Sequence, residues 1–360
     1  MAAGNDELEG VTDYLSGKRV MVTGACGTVG KELVTQLVSR FDLETLTGID
    51  HNESGLAVLE DQHRSTPKLR FLLADVRDTA AMLRVLRNVD VLFHAAAYKH
   101  VHVCERSPLE AIQTNVLGVQ NVIQAALENG VQRLVFTSSD KAVNPTSVMG
   151  TSKLMGERLI TAAAIDQHNA GAVFLSVRFG NVMGSRGSVI PIFRDQIRNG
   201  GPLTLTDAGM TRFIMSLADA VRLVIESVVL GQPGEVLITK MAAIKIVDLA
   251  TVMVREYAPL CGRSVEDIKV KVVGPKPGEK LYEELMNDEE TRRSFELDRY
   301  FVVRPALLSQ RTDRRSYPTL QNPVSKPYNS ANVSPLSQDE LTRFLHENGL
   351  IKDGSAQTHC

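Results

Sequence analysis

The 360-residue sequence predicts an α/β fold: a doubly wound parallel sheet with a smaller lobe interleaved into its C-terminal half. Three observations predict it. Short β-type runs alternate with helical patterns through the first half of the chain. A glycine-rich turn sits at the first strand-to-helix junction. After Arg178 the alternation breaks into loops bearing Gly180, Gly184, Gly187, Pro191, Gly200, Gly201 and Pro202. Alternating strands and helices build βαβ units, and right-handed crossovers place helices on both faces of one parallel sheet.

The expected strands are 19–22, 45–49, 69–73, 91–94, 134–137 and 172–177, each a short run rich in Val, Leu, Ile or Phe. Between them, apolar residues recur at helical spacing over 33–37, 82–86, 112–127 and 154–164. A helix around 217–229 and a strand at 236–238 are expected to rejoin the main sheet. Ser337 and Glu340 form a capping-box pattern that starts a last helix over 338–347.

Composition excludes several functions. Hydrophobic residues make up 43% and charged residues 23%, and the net charge is -2. A near-neutral, mixed-sign surface gives no electrostatic reason for a nucleic acid or an anionic membrane as partner. Residues 1–17 carry Asp6, Glu7, Glu9 and Asp13 and no apolar core, the wrong chemistry for a signal peptide. No run of about eighteen apolar residues occurs, so no membrane span is expected. Cys26, Cys104, Cys261 and Cys360 lack metal-ligand spacing and are expected as free thiols in a reducing cytoplasm, with no metal.

The segment Thr23-Gly24-Ala25-Cys26-Gly27-Thr28-Val29-Gly30 has G-x-x-G-x-x-G spacing directly after a strand and before a helix. Glycines let backbone approach a pyrophosphate, and the helix N-terminus offers N–H groups to the anion. Asp50 follows at the end of the second expected strand, where a carboxylate can accept hydrogen bonds from an adenosine ribose. A carboxylate there repels a 2′-phosphate, so NAD is favoured over NADP, with His51 and Arg40 the neighbours that could weaken the preference. Asp75 and Val76 end the third strand, placed for the adenine edge, although a helix N-cap is an equal reading of Asp75. Cys26 reads as a small filler. These features make the sheet a Rossmann-type dinucleotide site.

The most informative stretch runs from Thr137 to Lys153: TSSDKAVNPTSVMGTSK. A strand ends at Ser138, a helix begins near Ser147, and Met149 and Lys153, four apart, share one helical face. This resembles the extended short-chain dehydrogenases/reductases, whose site is Ser/Thr plus Tyr-x-x-x-Lys, with Met149 at the Tyr position. More closely it resembles the nucleotide-sugar 4,6-dehydratases of polysaccharide biosynthesis. Ser139-Asp140-Lys141-Ala142-Val143-Asn144-Pro145-Thr146, His94 to Val101, Thr114-Asn115-Val116, Arg178 to Val182, Thr211-Arg212-Phe213 and Pro275 to Lys280 carry that resemblance.

The resemblance implies NAD-dependent, redox-neutral dehydration of a nucleotide-activated N-acetylhexosamine. UDP-N-acetylglucosamine is favoured, and a GDP-linked sugar is the variant. The C4 hydroxyl is oxidised, the C5 proton and C6 hydroxyl are eliminated, and C6 is reduced, leaving a 4-keto-6-deoxy sugar. By analogy Asp140 protonates the leaving hydroxyl and Lys141 removes the C5 proton; a surface turn pair is the plain alternative. A thioether has no proton to exchange, so Ser139, Asp140 or a water must assist at C4. Met149 is expected to pack on the sugar or nicotinamide, and Met in place of Tyr implies retention at C5. Lys153 is expected on the nicotinamide ribose. Ala95, Ala96, Ala97, Asn115 and Ser138 complete the expected cofactor contacts. Lys99, Asn181, Val189 and Glu283 are expected at the substrate, with Arg186, Arg212 and Lys280 neutralising its diphosphate.

The expected organisation is an N-terminal extension at 1–17, a dinucleotide-binding domain at 18–178 rejoined by 214–247, a substrate lobe at 179–213 and 248–305, and a tail at 306–360. A homo-oligomer is expected. Two further functions remain open: a nucleotide-sugar 4-epimerase, which needs no C5 base or C6 acid, and a catalytically silent NAD-binding regulator.

Overall fold

A computed structural model of the chain describes residues 3–166, 171–184, 188–274, 279–307 and 322–351. The chain divides into two compact units. The first comprises Met1–Phe179, Ala218–Lys240 and Leu285–Pro327; the second comprises Gly180–Leu217, Met241–Glu284 and Tyr328–Cys360.

The first unit is built on a ten-stranded sheet. Its six leading strands are β1 (Arg19–Thr23), β2 (Thr45–Asp50), β3 (Leu69–Leu73), β4 (Val91–His94), β5 (Arg133–Thr137) and β6 (Val173–Arg178). They lie parallel in the order β3-β2-β1-β4-β5-β6. The strand Val236–Thr239 continues the parallel sheet beyond β6. Tyr300–Val303, Ser294–Glu296 and Asn322–Pro323 then extend it antiparallel. All six expected strands form, with ends within a residue or two. The inner strands read as unbroken apolar runs because helices cover both faces of a parallel sheet. Met21, Leu92, Leu134, Phe136 and Phe174 meet Val122 and Ile160 from the helices in one buried cluster. The strand order reverses between β1 and β4, and the crevice at the carboxyl ends of these strands is where such sheets bind ligands.

Three expectations need correction. The acidic extension at 1–17 contains a helix, Ala3–Leu15, that buries Val11 and Leu15, four residues apart on one face. The expected lobe segment 248–305 divides at Glu284, because Phe295 and Tyr300 to Val303 are buried strand residues of the main sheet. Conversely, Ala242–Lys245 pairs with Thr211–Met215 in the second unit instead of rejoining the main sheet.

The second unit holds a three-stranded sheet of Ala242–Lys245, Thr211–Met215 and Asn181–Val182, and a parallel pair of Leu203–Leu205 with Val270–Val272. Helices Val189–Arg198, Ile246–Tyr257 and Gln338–Glu347 pack around Phe193, Leu249, Met253, Tyr257, Leu341 and Leu345. The expected tail therefore divides: its helix Gln338–Glu347 belongs to this core, while Asn322–Pro323 lies in the main sheet. Its helix starts with the expected capping box, in which Ser337 and Glu340 satisfy each other's backbone N–H. Among the described residues, no helix is long and apolar enough to cross a membrane.

Candidate active site

The glycine loop is shaped by how closely it approaches the next strand. Gly24 adopts φ +71°, and a Cβ there would lie 2.7 Å from the Ala96 nitrogen. A Cβ on Gly30 would lie 2.0 Å from the Gly24 carbonyl oxygen. A side chain on Gly24 would push the loop off the carboxyl end of β4, where Ala95, Ala96 and Ala97 continue the chain, and one on Gly30 would push the helix off the loop. Gly27 caps the following helix, Thr28–Arg40, with no side-chain hydrogen bond. Elsewhere in this unit Asn52, Asp78 and Ser147 cap helices Glu53–Gln62, Thr79–Val85 and Val148–Ile165 with their side chains. The first-turn N–H groups of Thr28, Val29 and Gly30 thus suit an anion. Cys26 is buried with its sulfur 3.8 Å from the Asn52 carbonyl, and a Cβ on Gly55 would come within 2.7 Å of it, so the thiol fills a gap.

Asp50 ties this loop to the end of β2. Its carboxylate accepts from the Cys26 N–H at 2.9 Å and from the Asn52 N–H at 3.0 Å, with His51 Nδ1 3.4 Å away. Each oxygen keeps a lone pair for a further donor. For Asp75, the alternative of a helix cap falls to Asp78, which accepts from the Ala81 N–H. Asp75 instead receives Arg77 Nε and Nη2 at 2.9 and 2.6 Å, which holds its carboxyl below the usual carboxylate range despite partial burial. A pocket of about 510 Å³ opens here, lined by Asp75, Arg77, Asp78, Gln113 and Leu117. The Val76 side chain points into packing, since a Cβ on Gly118 would sit 2.9 Å from it.

Asn115 lies buried in a π-helical turn, Gln113–Leu117. Its amide accepts from the Tyr98 N–H at 2.8 Å and donates to the Tyr98 carbonyl and Ser152 Oγ, each at 2.9 Å. It thereby clamps the loop after β4 to the helix carrying Lys153; the amide groups expected at the cofactor are engaged within the protein. Lys153 is buried, donates to the Thr137 carbonyl at 2.8 Å and lies 4.7 Å from the Phe136 ring centroid. Burial pushes its ammonium down to about 8, against the opposing pull of Glu157. Ser138 Oγ, at the end of β5, is buried with no hydrogen-bond partner among the described residues. A buried hydroxyl left open beside an uncapped helix and a buried lysine fits a dinucleotide with its polar ribose and phosphates.

Residues Asp140 to Ala142 form one 3-10 turn directly after β5. Ser139 Oγ donates to Asp140 Oδ1 at 2.6 Å and accepts from the Lys141 N–H at 3.3 Å. Lys141 Nζ stands 3.2 Å from both Asp140 oxygens. Asp140 is 1% exposed and its N–H donates to the Phe179 carbonyl, so the pair is no surface turn. Gly150 on the next helix makes room for this turn, because a Cβ there would lie 2.3 Å from the Lys141 carbonyl oxygen. Met149 is 3% exposed and packs with Cys104 and Ala111, flanked by Tyr98, Val101 and Val148. The chain itself thus covers most of this side chain.

One residue of the site, His94, had no role assigned from the sequence. His94, fully buried at the end of β4, places Nδ1 2.7 Å from Thr23 Oγ1. The Thr23 hydroxyl also accepts from the Ala96 N–H, while His94 Nε2 is buried with no hydrogen-bond partner among the described residues. Burial, then the Lys153 charge, lowers the His94 pKa to about 3. Its sequence signals are a polar residue ending an apolar strand and its place at the head of the 94–101 segment that carries the resemblance.

Within the second unit, Asn181 opens a short strand and Val189 starts its helix. Arg212 donates to the carbonyls of Thr211, Lys280 and Leu281 and lies 3.3 Å from Glu283 and 3.8 Å from Glu279. Its guanidinium and Glu283 thus staple this segment together. Lys280 Nζ faces Glu284 at 3.6 Å. Lys99 is exposed on the loop after β4 in the first unit. Arg186 and 275–278 lie outside the described residues.

The strand order, the glycine loop and the Asp-Lys turn ahead of a Met-x-x-x-Lys helix define an extended short-chain dehydrogenase/reductase. Residues 20–305 match the polysaccharide biosynthesis protein family, and the chain belongs to that family. It is 41% identical over 340 residues, 94% of this chain and 98% of the other, to an uncharacterized membrane protein of Methanocaldococcus jannaschii. A UDP-glucose 4-epimerase of Rickettsia canadensis is 38% identical, with 79% of this chain and 82% of the relative covered. A UDP-N-acetylglucosamine 4,6-dehydratase (inverting) of Campylobacter jejuni is 35% identical, with 81% and 84% covered. The chain spans about half the length of two other relatives, CapD of Staphylococcus aureus and EpsC of Bacillus subtilis. Among solved structures, Pen from Bacillus thuringiensis aligns with TM-score 0.86 at 37% identity, covering 94% of this chain and all of that one. The dTDP-glucose 4,6-dehydratase DesIV of Streptomyces venezuelae, solved with NAD, aligns with TM-score 0.63 at 25% identity, covering 73% and 86%.

Proposed function

We propose that the chain catalyses NAD-dependent 4,6-dehydration of a nucleotide-activated N-acetylhexosamine, UDP-N-acetylglucosamine first, with retention at C5. The observation that carries this reading is the buried Asp140 paired with Lys141 on one turn. Elimination across C5 and C6 needs a C5 base and a C6 acid, whereas epimerisation at C4 needs proton transfer only at the C4 hydroxyl. Passage of one proton from Lys141 Nζ to Asp140 over 3.2 Å turns the ion pair into a neutral acid and a neutral base with no change in total charge. Asp140 then protonates the departing C6 hydroxyl and Lys141 takes the C5 proton. Ser139 Oγ, bonded to Asp140, is the group proposed to pass the C4 hydroxyl proton. NAD, when bound, supplies the oxidation at C4 and the reduction at C6. Lys153 and Ser138 would hold its nicotinamide end, and Asp50 with the first turn of Thr28–Arg40 its adenosine and phosphates. The similarity to the Campylobacter dehydratase supports the substrate class; that relative is an inverting enzyme, and the proposal of retention rests on Met149 at the Tyr position alone.

Mass spectrometry of the purified enzyme with UDP- and GDP-N-acetylglucosamine tests the reading. Dehydration lowers the product mass by one water, about 18 Da. A product of unchanged mass establishes the epimerase instead, the reaction named for the Rickettsia relative. Asp140→Asn and Lys141→Met are each expected to cut turnover about a hundredfold or more while NAD binding persists. Near-normal rates in both variants sink the assignment. Turnover in deuterated water followed by NMR reads the C5 configuration, and an inverted centre refutes retention.

A further inference from the structure

A buried charge cluster of the first unit begins at Glu157, one helical turn beyond Lys153. Arg178, the last residue of β6, is 1% exposed and uses all five of its N–H donors. Nε and Nη2 donate to the two Glu157 oxygens at 2.8 and 2.6 Å, and Nη1 and Nη2 to the two Glu290 oxygens at 2.8 Å each. The fifth donor reaches the Leu285 carbonyl at 3.0 Å. Both glutamates are buried. Burial alone would raise the Glu290 carboxyl, but the Arg178 charge outweighs it and holds the group below the usual carboxylate range.

Within the buried set one guanidinium stands against two carboxylates, and the less buried Arg293, 3.9 Å from Glu290, adds a second positive charge on the Glu290 side. Glu157 sits four residues after Lys153 on the same helix, so the two share one face. The other groups bearing on Lys153 carry no negative charge: the Thr137 carbonyl and Phe136 ring from β5, and His94 from β4, which burial keeps neutral. A buried ammonium is costly unless a counter-charge accompanies it. We infer that Glu157, Arg178 and Glu290 form a positioning cluster for Lys153, supplying through Glu157 the counter-charge that keeps its buried ammonium charged at the end of β5. Replacing a buried ion network by apolar groups is often neutral for stability, so fold stability alone does not account for these charges. The inference rests on the proposed role of Lys153 at the nicotinamide ribose, but its test needs no sugar substrate.

The test compares wild type with Glu157→Gln, Glu157→Asp and Glu290→Gln. The Lys153 titration is read by NMR of isotope-labelled lysine, assigned by the signal lost in Lys153→Met, and NAD affinity is measured across the same pH range. Glu157→Gln keeps shape and an acceptor for Arg178 but removes the charge. The Lys153 midpoint should fall by about one pH unit or more, roughly a tenfold loss of proton affinity. NAD affinity should fall off at correspondingly lower pH. Glu290→Gln, which leaves Arg178 to neutralise Glu157 fully, should move the midpoint the same way, and Glu157→Asp should restore most of it. A midpoint unmoved in Glu157→Gln, or moved equally by Gln and Asp, overturns the inference. A Lys153→Met protein with unchanged NAD affinity defeats the ribose role of Lys153, while the titration still judges the cluster. Failure to dehydrate a sugar bears on neither measurement.

Discussion

Gly150 is small because the Lys141 carbonyl lies where its Cβ would be. Gly150→Ala must therefore displace the turn that carries Asp140 and Lys141. Turnover is expected to collapse while circular dichroism and NAD binding stay close to wild type; an Ala variant of full activity would show that the turn tolerates the shift. Met149 makes the opposite case. Its neighbours are Cys104 and Ala111, so Met149→Leu conserves volume in an apolar cluster and should cost less than about 1.5 kcal/mol, with most activity kept. Ser139→Ala, by contrast, removes the hydroxyl bonded to Asp140 and should abolish activity. His94 gives a pH signature. Its folded-state value of about 3 lies below the unfolded value near 6.5, so the unfolded chain binds the extra proton first. Its contribution is complete above pH about 6.5 and is lost progressively as pH falls toward about 3. Denaturant midpoints across that window should fall less steeply in His94→Gln; equal slopes would discount the histidine.

At the scale of elements, the helix Val148–Ile165 concentrates the consequences, because it carries Met149, Lys153 and Glu157 and starts at the Ser147 cap. Ser147→Ala removes that cap and should lower stability by about 1 kcal/mol, read as a shift in the unfolding midpoint. The six parallel strands were legible in the sequence because each is a short apolar run with a glycine or polar break at its end. So was the glycine loop, whose demand for residues without side chains is local. The helix Ala3–Leu15 was hidden by its acidic residues, since only Val11 and Leu15 mark its buried face. The second unit was harder to read, because strands as short as Asn181–Val182 and Leu203–Leu205 carry no periodicity. The partners of Arg212 lie near residue 280 and those of Arg178 at 157 and 290, distances over which no sequence pattern pairs charges. Met149 could be identified as the residue at the Tyr position, but its burial against Cys104 depends on helices that only tertiary packing brings together.

For the whole molecule, the decisive feature is that the first unit is assembled from three separate stretches of chain. Val236–Thr239 pairs with β6, and Tyr300–Val303 pairs with Val236–Thr239, so β6 is an inner strand only in the complete chain. A fragment ending at Phe179 would expose the β6 edge as a row of unpaired N–H and carbonyl groups. Such a fragment is expected to aggregate where the full chain stays monodisperse, as light scattering would report; a soluble, cooperatively melting fragment would contradict this. The same arrangement has a consequence during synthesis. At about 5–20 residues per second, the strand that covers β6 leaves the ribosome roughly 3–12 s after β6 itself. For those seconds the half-built sheet presents an open edge in the crowded surroundings of the ribosome, and its safe completion depends on how fast the rest of the chain arrives.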